Sequence, residues 1–177
     1  MLTALLLLLA QGVLGTWDTL YYHEYKLRLP AQAHARNELR IHALRDFVYA
    51  ILFGAIGWVT WNGLFAGVFL LLLLIEVILT LTDFLEEDRT RKLPPGERVM
   101  HAIMGIVYGL FLAYLLPNVW TWLKLPTGFG HVYFGPLSWL LSAMAGGVFL
   151  SGVRDMVSAQ RQKEWPALPH GPGAASK

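Results

Sequence analysis

The chain has 177 residues, 55% of them hydrophobic and 15% charged, with a formal net charge of +2 and no cysteine. Soluble domains run at roughly 45–50% apolar and about 25% charged, so this composition points to a membrane protein of one domain. The lack of cysteine excludes disulfides, thiol catalysis, iron–sulfur clusters and cysteine-held zinc, and the basic residues form no clustered face for nucleic acid.

Five apolar segments follow one another: Leu2–Trp17, Phe47–Trp61, Leu64–Thr82, Ile103–Trp122 and Phe134–Val153. A helix needs about 20 residues to cross the hydrocarbon. The last three segments fit directly, and the first two fit if their helices continue into the polar flanks. The first segment has no basic residue before its apolar run, which a cleaved signal peptide requires, so it is expected to be retained. Trp17, Trp61, Trp122 and Tyr133 lie near segment ends, where interfacial aromatic belts form. From about residue 161 the chain turns polar and rich in Pro and Gly, and 161–177 reads as a disordered cytoplasmic tail.

Basic residues predict the topology. Lys26, Arg28, Arg36, Arg40 and Arg45 precede the second segment; Arg89, Arg91, Lys92 and Arg98 precede the fourth; Arg154, Arg161, Lys163 and Lys177 follow the fifth. Only Lys124 falls on the other side. The positive-inside rule makes the rich side cytoplasmic. The expectation is an all-α integral membrane protein of five helices, N-terminus out and C-terminus cytoplasmic, in the inner membrane if the source is bacterial.

A weak internal duplication organises the polar residues. Shifted by 65 positions, Gln11 falls on Glu76, Asp18 on Asp83, Leu20 on Leu85 and Pro30 on Pro95. Shifted by 59, Glu38 falls on Glu97, His42 on His101, Ala43 on Ala102, Val48 on Val107 and Tyr49 on Tyr108. Each copy reads helix, Asp, linker, Pro, then Glu-x-x-x-His with a Tyr seven residues later. Repeats are a common device of membrane proteins. The predicted domain spans 1–160, with repeat A about 1–60, repeat B about 65–120 and an extra helix about 134–153. The two hairpins would form a four-helix bundle with a pseudo-two-fold axis along the membrane normal.

Residues four or seven apart share a helix face. Glu38, His42 and Tyr49 therefore align, as do Glu97, His101 and Tyr108. Glu76, Asp83 and Glu87 form a stripe on the third helix. Asp18 holds the matching place on the first, followed by His23. A carboxylate such as Glu76, set in LLLLIEVILT, is costly in a membrane unless it is functional or faces the bundle. Plainer readings exist for each residue alone. Glu38 and Glu97 could favour helix N-terminal dipoles, a single His could be interfacial, and Glu86 and Asp88 read as a solvated charge cluster. The paired pattern favours a metal site built from Asp18, His23, Glu38, His42, Glu76, Asp83, Glu87, Glu97 and His101, with Tyr49 and Tyr108 as catalytic or orienting neighbours.

This inventory is similar in kind to the ferritin-like di-iron and di-manganese carboxylate proteins, where two helices give a Glu each and two give a Glu-x-x-His pair. The likeness covers residues 11–108 and is one of ligand logic, since the spacing here is Glu-x-x-x-His. It implies two metal ions, iron first, with manganese or zinc as alternatives. The expected function is a metal-dependent membrane oxidoreductase: a di-iron hydroxylase or desaturase. It would act on a lipid-like substrate at the cytoplasmic side, with quinol or a cytoplasmic protein as electron donor. The competing readings are a haem b electron carrier with His42 and His101 as axial ligands, and a non-enzymatic ion or proton transporter or membrane scaffold.

Overall fold

The computed structural model describes residues 1–162; the remainder of the expected tail lies outside the described residues. The chain is almost wholly helical. Helix α1 (Leu2–Trp17) runs without a break into a π-helical segment, Asp18–Lys26. Two short 3₁₀ turns lead to α2 (Arg36–Ile56), strand β1 (Val59–Asn62) and α3 (Leu64–Thr90). A short linker leads to α4 (Pro95–Leu123), then strand β2 (Gly128–His131) and α5 (Pro136–Arg161). Pro95 opens α4 at its first position, where its missing N–H has no intrahelical acceptor to lose.

Four stretches are long and apolar enough to cross a membrane: Leu2–Lys26, Leu64–Thr90, Pro95–Leu123 and Pro136–Arg161. That set is consistent with an integral membrane protein. Helix α2 falls outside it. It begins eleven residues before the apolar run expected from sequence, so its first three turns carry Arg36, Glu38, Arg40, Arg45 and Asp46. The run also ends early, because Val59–Asn62 leaves the helix and pairs with Gly128–His131 in an antiparallel ribbon. Gly63 starts α3 at φ 60°, a left-handed conformation that costs glycine little.

The packing inverts that of a soluble protein. Leu71, Ile78, Ile106 and Leu150 are each more than half exposed on the outer faces of α3, α4 and α5, an apolar surface suited to lipid. The apolar core lies deeper, around Leu8, Phe53, Ile56, Phe69, Phe111 and Leu115. At one end of the bundle the buried residues are polar: Asp18, His23, Glu38, His42, Asp83, Glu87, Glu97, His101 and Asp155. Helix α1 packs on α4, α3 on α2, and α5 most extensively on α2. The α2–α5 approach depends on Gly152, where an added Cβ would lie 3.0 Å from Asp46 Cβ and Phe47 and 3.2 Å from the Ala43 carbonyl.

Candidate metal centre

Four polypeptide ends converge to build the polar interior: the π segment after α1, the start of α2, the end of α3 and the start of α4. The π segment settles the position of His23. Asp18 and His23 are five residues apart, which an α-helix would set about 140° apart at about 100° per residue. The i→i+5 bonding of a π-helix brings them onto one side, and such segments recur at functional sites. His23 Nε2 lies 3.5 Å from both Asp18 Oδ2 and Glu97 Oε1.

Two overlapping groups offer donor atoms close enough to share an ion. In one, His23, Glu87, Glu97 and His101 each place a ligand atom within 4.8 Å of the others; in the second, His23, Glu38, His42 and Glu87 do the same. All six residues are buried, and Glu87 and His23 belong to both groups. Glu87 has two oxygens, so it has the chemistry of a carboxylate that bridges two sites. Asp18 and Asp83 flank the groups. Asp18 Oδ2 is 3.3 Å from His101 Nε2, and Asp83 Oδ2 is 3.1 Å from His42 Nε2. Eight of the nine residues expected from sequence are thus brought together. Glu76 is not: it enters neither group and stands deeper in α3, with Thr80 donating a 2.8 Å hydrogen bond to its Oε1.

The electrostatics separate two explanations of this cluster. Five carboxylates (Asp18, Glu38, Asp83, Glu87, Glu97) face two arginines. Arg45 Nη1 is 2.7 Å from Asp83 Oδ2. Arg91 Nη2 lies 2.8 Å from Glu38, 3.0 Å from Glu87 and 2.7 Å from Glu97. Burial opposes the Arg91 charge, but its hydrogen bonds to Glu97 and Glu38 outweigh that and move its pKa upward. With neutral histidines the set sums to −5 + 2 = −3, a large charge to bury unpaired. Three protonated histidines would cancel it. The His23 and His42 rings, however, stack face to face with centroids 4.7 Å apart and planes within 6°, and two imidazolium cations in that arrangement repel. Two divalent cations would supply the charge with the imidazoles neutral, the form in which they ligate metals.

The hydrogen bonding favours the same explanation. Buried polar atoms ordinarily find partners. Here His23 Nε2, His42 Nε2, His101 Nδ1, Glu87 Oε2, Asp18 Oδ1 and Asp83 Oδ1 make no hydrogen bond among the described residues. Several lie near one another, as His101 Nδ1 does at 3.4 Å from Glu87 Oε2, but without hydrogen-bond alignment. These buried atoms are the ones free to take a further partner.

Three contributors were not expected from sequence. Arg91, in the α3–α4 linker, was counted only as a topology charge. Arg45 was treated likewise. Asp155 comes from α5, the helix taken as an addition; it is buried and lies 4.0 Å from His42 Nδ1, placed to orient that ring as outer partners of ligating histidines do. Arg154 pairs with Asp155 at 2.7 Å and with Glu24. Tyr49 and Tyr108 meet edge to face, 6.2 Å between centroids, below the centre and near Glu76. His34 is part of the turn at Ala33–Ala35, His131 is exposed on β2 at the far end of the bundle, and His170 lies outside the described residues.

A cavity of about 690 Å³ is lined by residues of all five helices, among them Asp18 and His101 of the cluster and Glu76 deeper in α3. Comparisons with protein-family models, with curated proteins and with solved structures each find no match for this chain.

Proposed function

We propose that this protein is a membrane-embedded di-metal oxidoreductase, with iron as the metal and a hydrophobic molecule drawn from the bilayer as substrate. The observation that carries the reading is the pair of overlapping buried donor groups sharing Glu87 and His23. Glu87, Glu97 and His101 would hold one ion and Glu38, His42 and Glu87 the other, with His23 completing one of the two, because a neutral imidazole has a single lone pair. Histidine nitrogens and carboxylate oxygens suit iron, manganese and zinc. Iron held by such a set would supply O₂ activation. With two electrons and two protons from a donor, one oxygen atom enters a C–H bond and the other leaves as water, or two hydrogens are removed and both oxygens leave as water.

The protein's own residues do the rest. Asp18 would hold the His101 ring through its 3.3 Å contact with Nε2, while Asp83 and Asp155 stand on the two sides of the His42 ring, 3.1 Å from Nε2 and 4.0 Å from Nδ1. Arg91 limits the negative charge the ions must offset. The cavity brings an apolar substrate to Asp18 and His101 without passing through water.

The proposed architecture is five spans, α2 included, in two repeated hairpins with α5 added. Its support is the pairing of α1 with α4 and of α3 with α2, which a two-fold axis would interchange, together with the contact between the equivalent Tyr49 and Tyr108. The proposed location of the centre is the cytoplasmic side, and its support is the excess of basic residues at that end of the sequence's segments. Haem ligation by His42 and His101 would leave the surplus of three negative charges in the set without a cation, so the di-metal reading is preferred.

The test uses the full-length protein in nanodiscs of its host lipids, loaded with Fe²⁺ under anaerobic conditions and then given O₂ and a reductant. O₂ uptake above that of Glu87→Ala, with a lipid-phase product gaining one oxygen or losing two hydrogens, is expected. A fully loaded protein that consumes no more O₂ than the variant refutes the activity.

A further inference from the structure

A second polar cluster sits in the same cavity, deeper among apolar walls. Glu76 is 1% exposed, and one of its oxygens is taken by Thr80. Its Oε2, the Gln11 Oε1 and the Tyr108 hydroxyl are all buried and have no hydrogen-bond partner among the described residues. All three residues line the cavity, whose walls here include Phe53, Met104 and Met144. In a water-poor span each such atom is costly unless something in the cavity pairs with it.

The chemistry of the three atoms defines that partner. The carboxylate and the amide oxygen only accept hydrogen bonds, and the tyrosine can donate or accept. The Tyr108 hydroxyl can donate to only one of the two acceptors, so an occupant that brings a further donor completes the set. The cavity wall carries both signs, Arg45 and Arg154 with Asp18, Asp46 and Glu76, and a charged headgroup is the costliest occupant to desolvate among the apolar walls. An uncharged hydroxyl brings the donor without that cost. The apolar walls accept the remainder of the molecule.

We propose that Glu76, Gln11 and Tyr108 form a headgroup site for the hydroxyl of an uncharged lipophile, such as a long-chain alcohol or an alkylated hydroquinone, whose tail lies in the apolar cavity. As a binding site it stands on the cavity and its unpartnered atoms; as the substrate or electron-donor site of the enzyme it rests on the di-metal reading. Glu76 precedes Asp83 by seven residues and Tyr108 follows His101 by seven, about 10 Å along each helix at about 1.5 Å per residue. A molecule held at Glu76 thus presents to the metal centre a part of itself about 10 Å from its hydroxyl.

The experiment titrates full-length protein in nanodiscs with dodecan-1-ol, a decyl-substituted hydroquinone, dodecane and dodecylammonium, following thermal stability, with bound metal measured in every sample. Saturable stabilisation by dodecanol, by the hydroquinone or by both is expected, with dodecane at least tenfold weaker; which of the two binds identifies the source of the hydroxyl. Glu76→Gln should weaken that binding at least tenfold and leave metal content unchanged. Gly15→Leu should block it from a position where an added Cβ meets nothing within 4 Å, so the folded protein can carry the change. Dodecane binding as well as dodecanol, dodecylammonium binding best, or Glu76→Gln leaving dodecanol binding intact would each overturn the proposal. Protein that binds dodecanol yet takes up no metal when Fe²⁺ is supplied defeats the di-metal reading alone, and metal-loaded protein that fails to bind either hydroxyl probe defeats this one alone.

Discussion

Arg91 gives the sharpest perturbation of the centre. Its guanidinium touches Glu38, Glu87 and Glu97, the three glutamates of the two donor groups, and its side chain is 8% exposed. In metal-free protein, Arg91→Met leaves those three carboxylates buried without a cation. Breaking a buried ion pair in this way costs about 3–5 kcal/mol. For a chain of this size about 1 kcal/mol moves Tm by roughly 2–4 °C, so the metal-free variant should melt about 6–20 °C below wild type. Metal reverses the sign of the argument. Each site saturated at about a hundred times its Kd contributes about 2.7 kcal/mol, or about 5 kcal/mol for two. In the variant the ions meet carboxylates that no arginine competes for, so Mn²⁺ should raise its Tm by more than it raises that of wild type. Differential scanning fluorimetry on both proteins, with chelator and with Mn²⁺, reads the effect directly. A gap between variant and wild type that is the same with and without metal would refute the reasoning and make Arg91 the centre of a purely ionic network.

Other consequences follow from single residues. Glu87→Ala should empty both sites, whereas Glu97→Ala should lower bound metal to about one per chain, because only Glu87 and His23 serve both groups; equal losses in the two variants would contradict shared ligation. Asp155→Asn should weaken metal affinity about 10–100-fold by freeing the His42 ring, as measured by chelator competition. Gly152→Leu should destabilise the protein by about 1–3 kcal/mol through overpacking against Ala43 and Phe47, and an unchanged denaturation midpoint would show that α2 and α5 do not pack as described.

The convergence of Glu38, His42, Glu97 and His101 was legible in sequence because their four-residue spacing is that of one α-helical face and both copies begin their helices with it. Asp18 and Asp83 were legible from the same repeat. His23 has no place on the Asp18 face of an α-helix, and it is the π segment that brings it to the Asp18 side. Glu76 was grouped with Asp83 and Glu87 because a stripe records direction and not depth: eleven residues separate Glu76 from Glu87, about 16 Å along α3. Arg91 and Arg45 were read as interfacial charges, since a basic residue beside a membrane segment carries the same letter whether it faces water or a buried carboxylate. Asp155 was missed because α5 lies outside the repeat, and nothing local to its sequence tells that Gly152 lets it press against α2.

The central claim is that the buried histidines and glutamates hold two metal ions. Metal analysis with an optical spectrum, on purified full-length wild type and on His42→Ala with His101→Ala, tests it most directly. The account predicts about two ions per wild-type chain, far fewer in the double variant, and no Soret band. A folded, active protein without metal, or a Soret band lost in the variant, would contradict it.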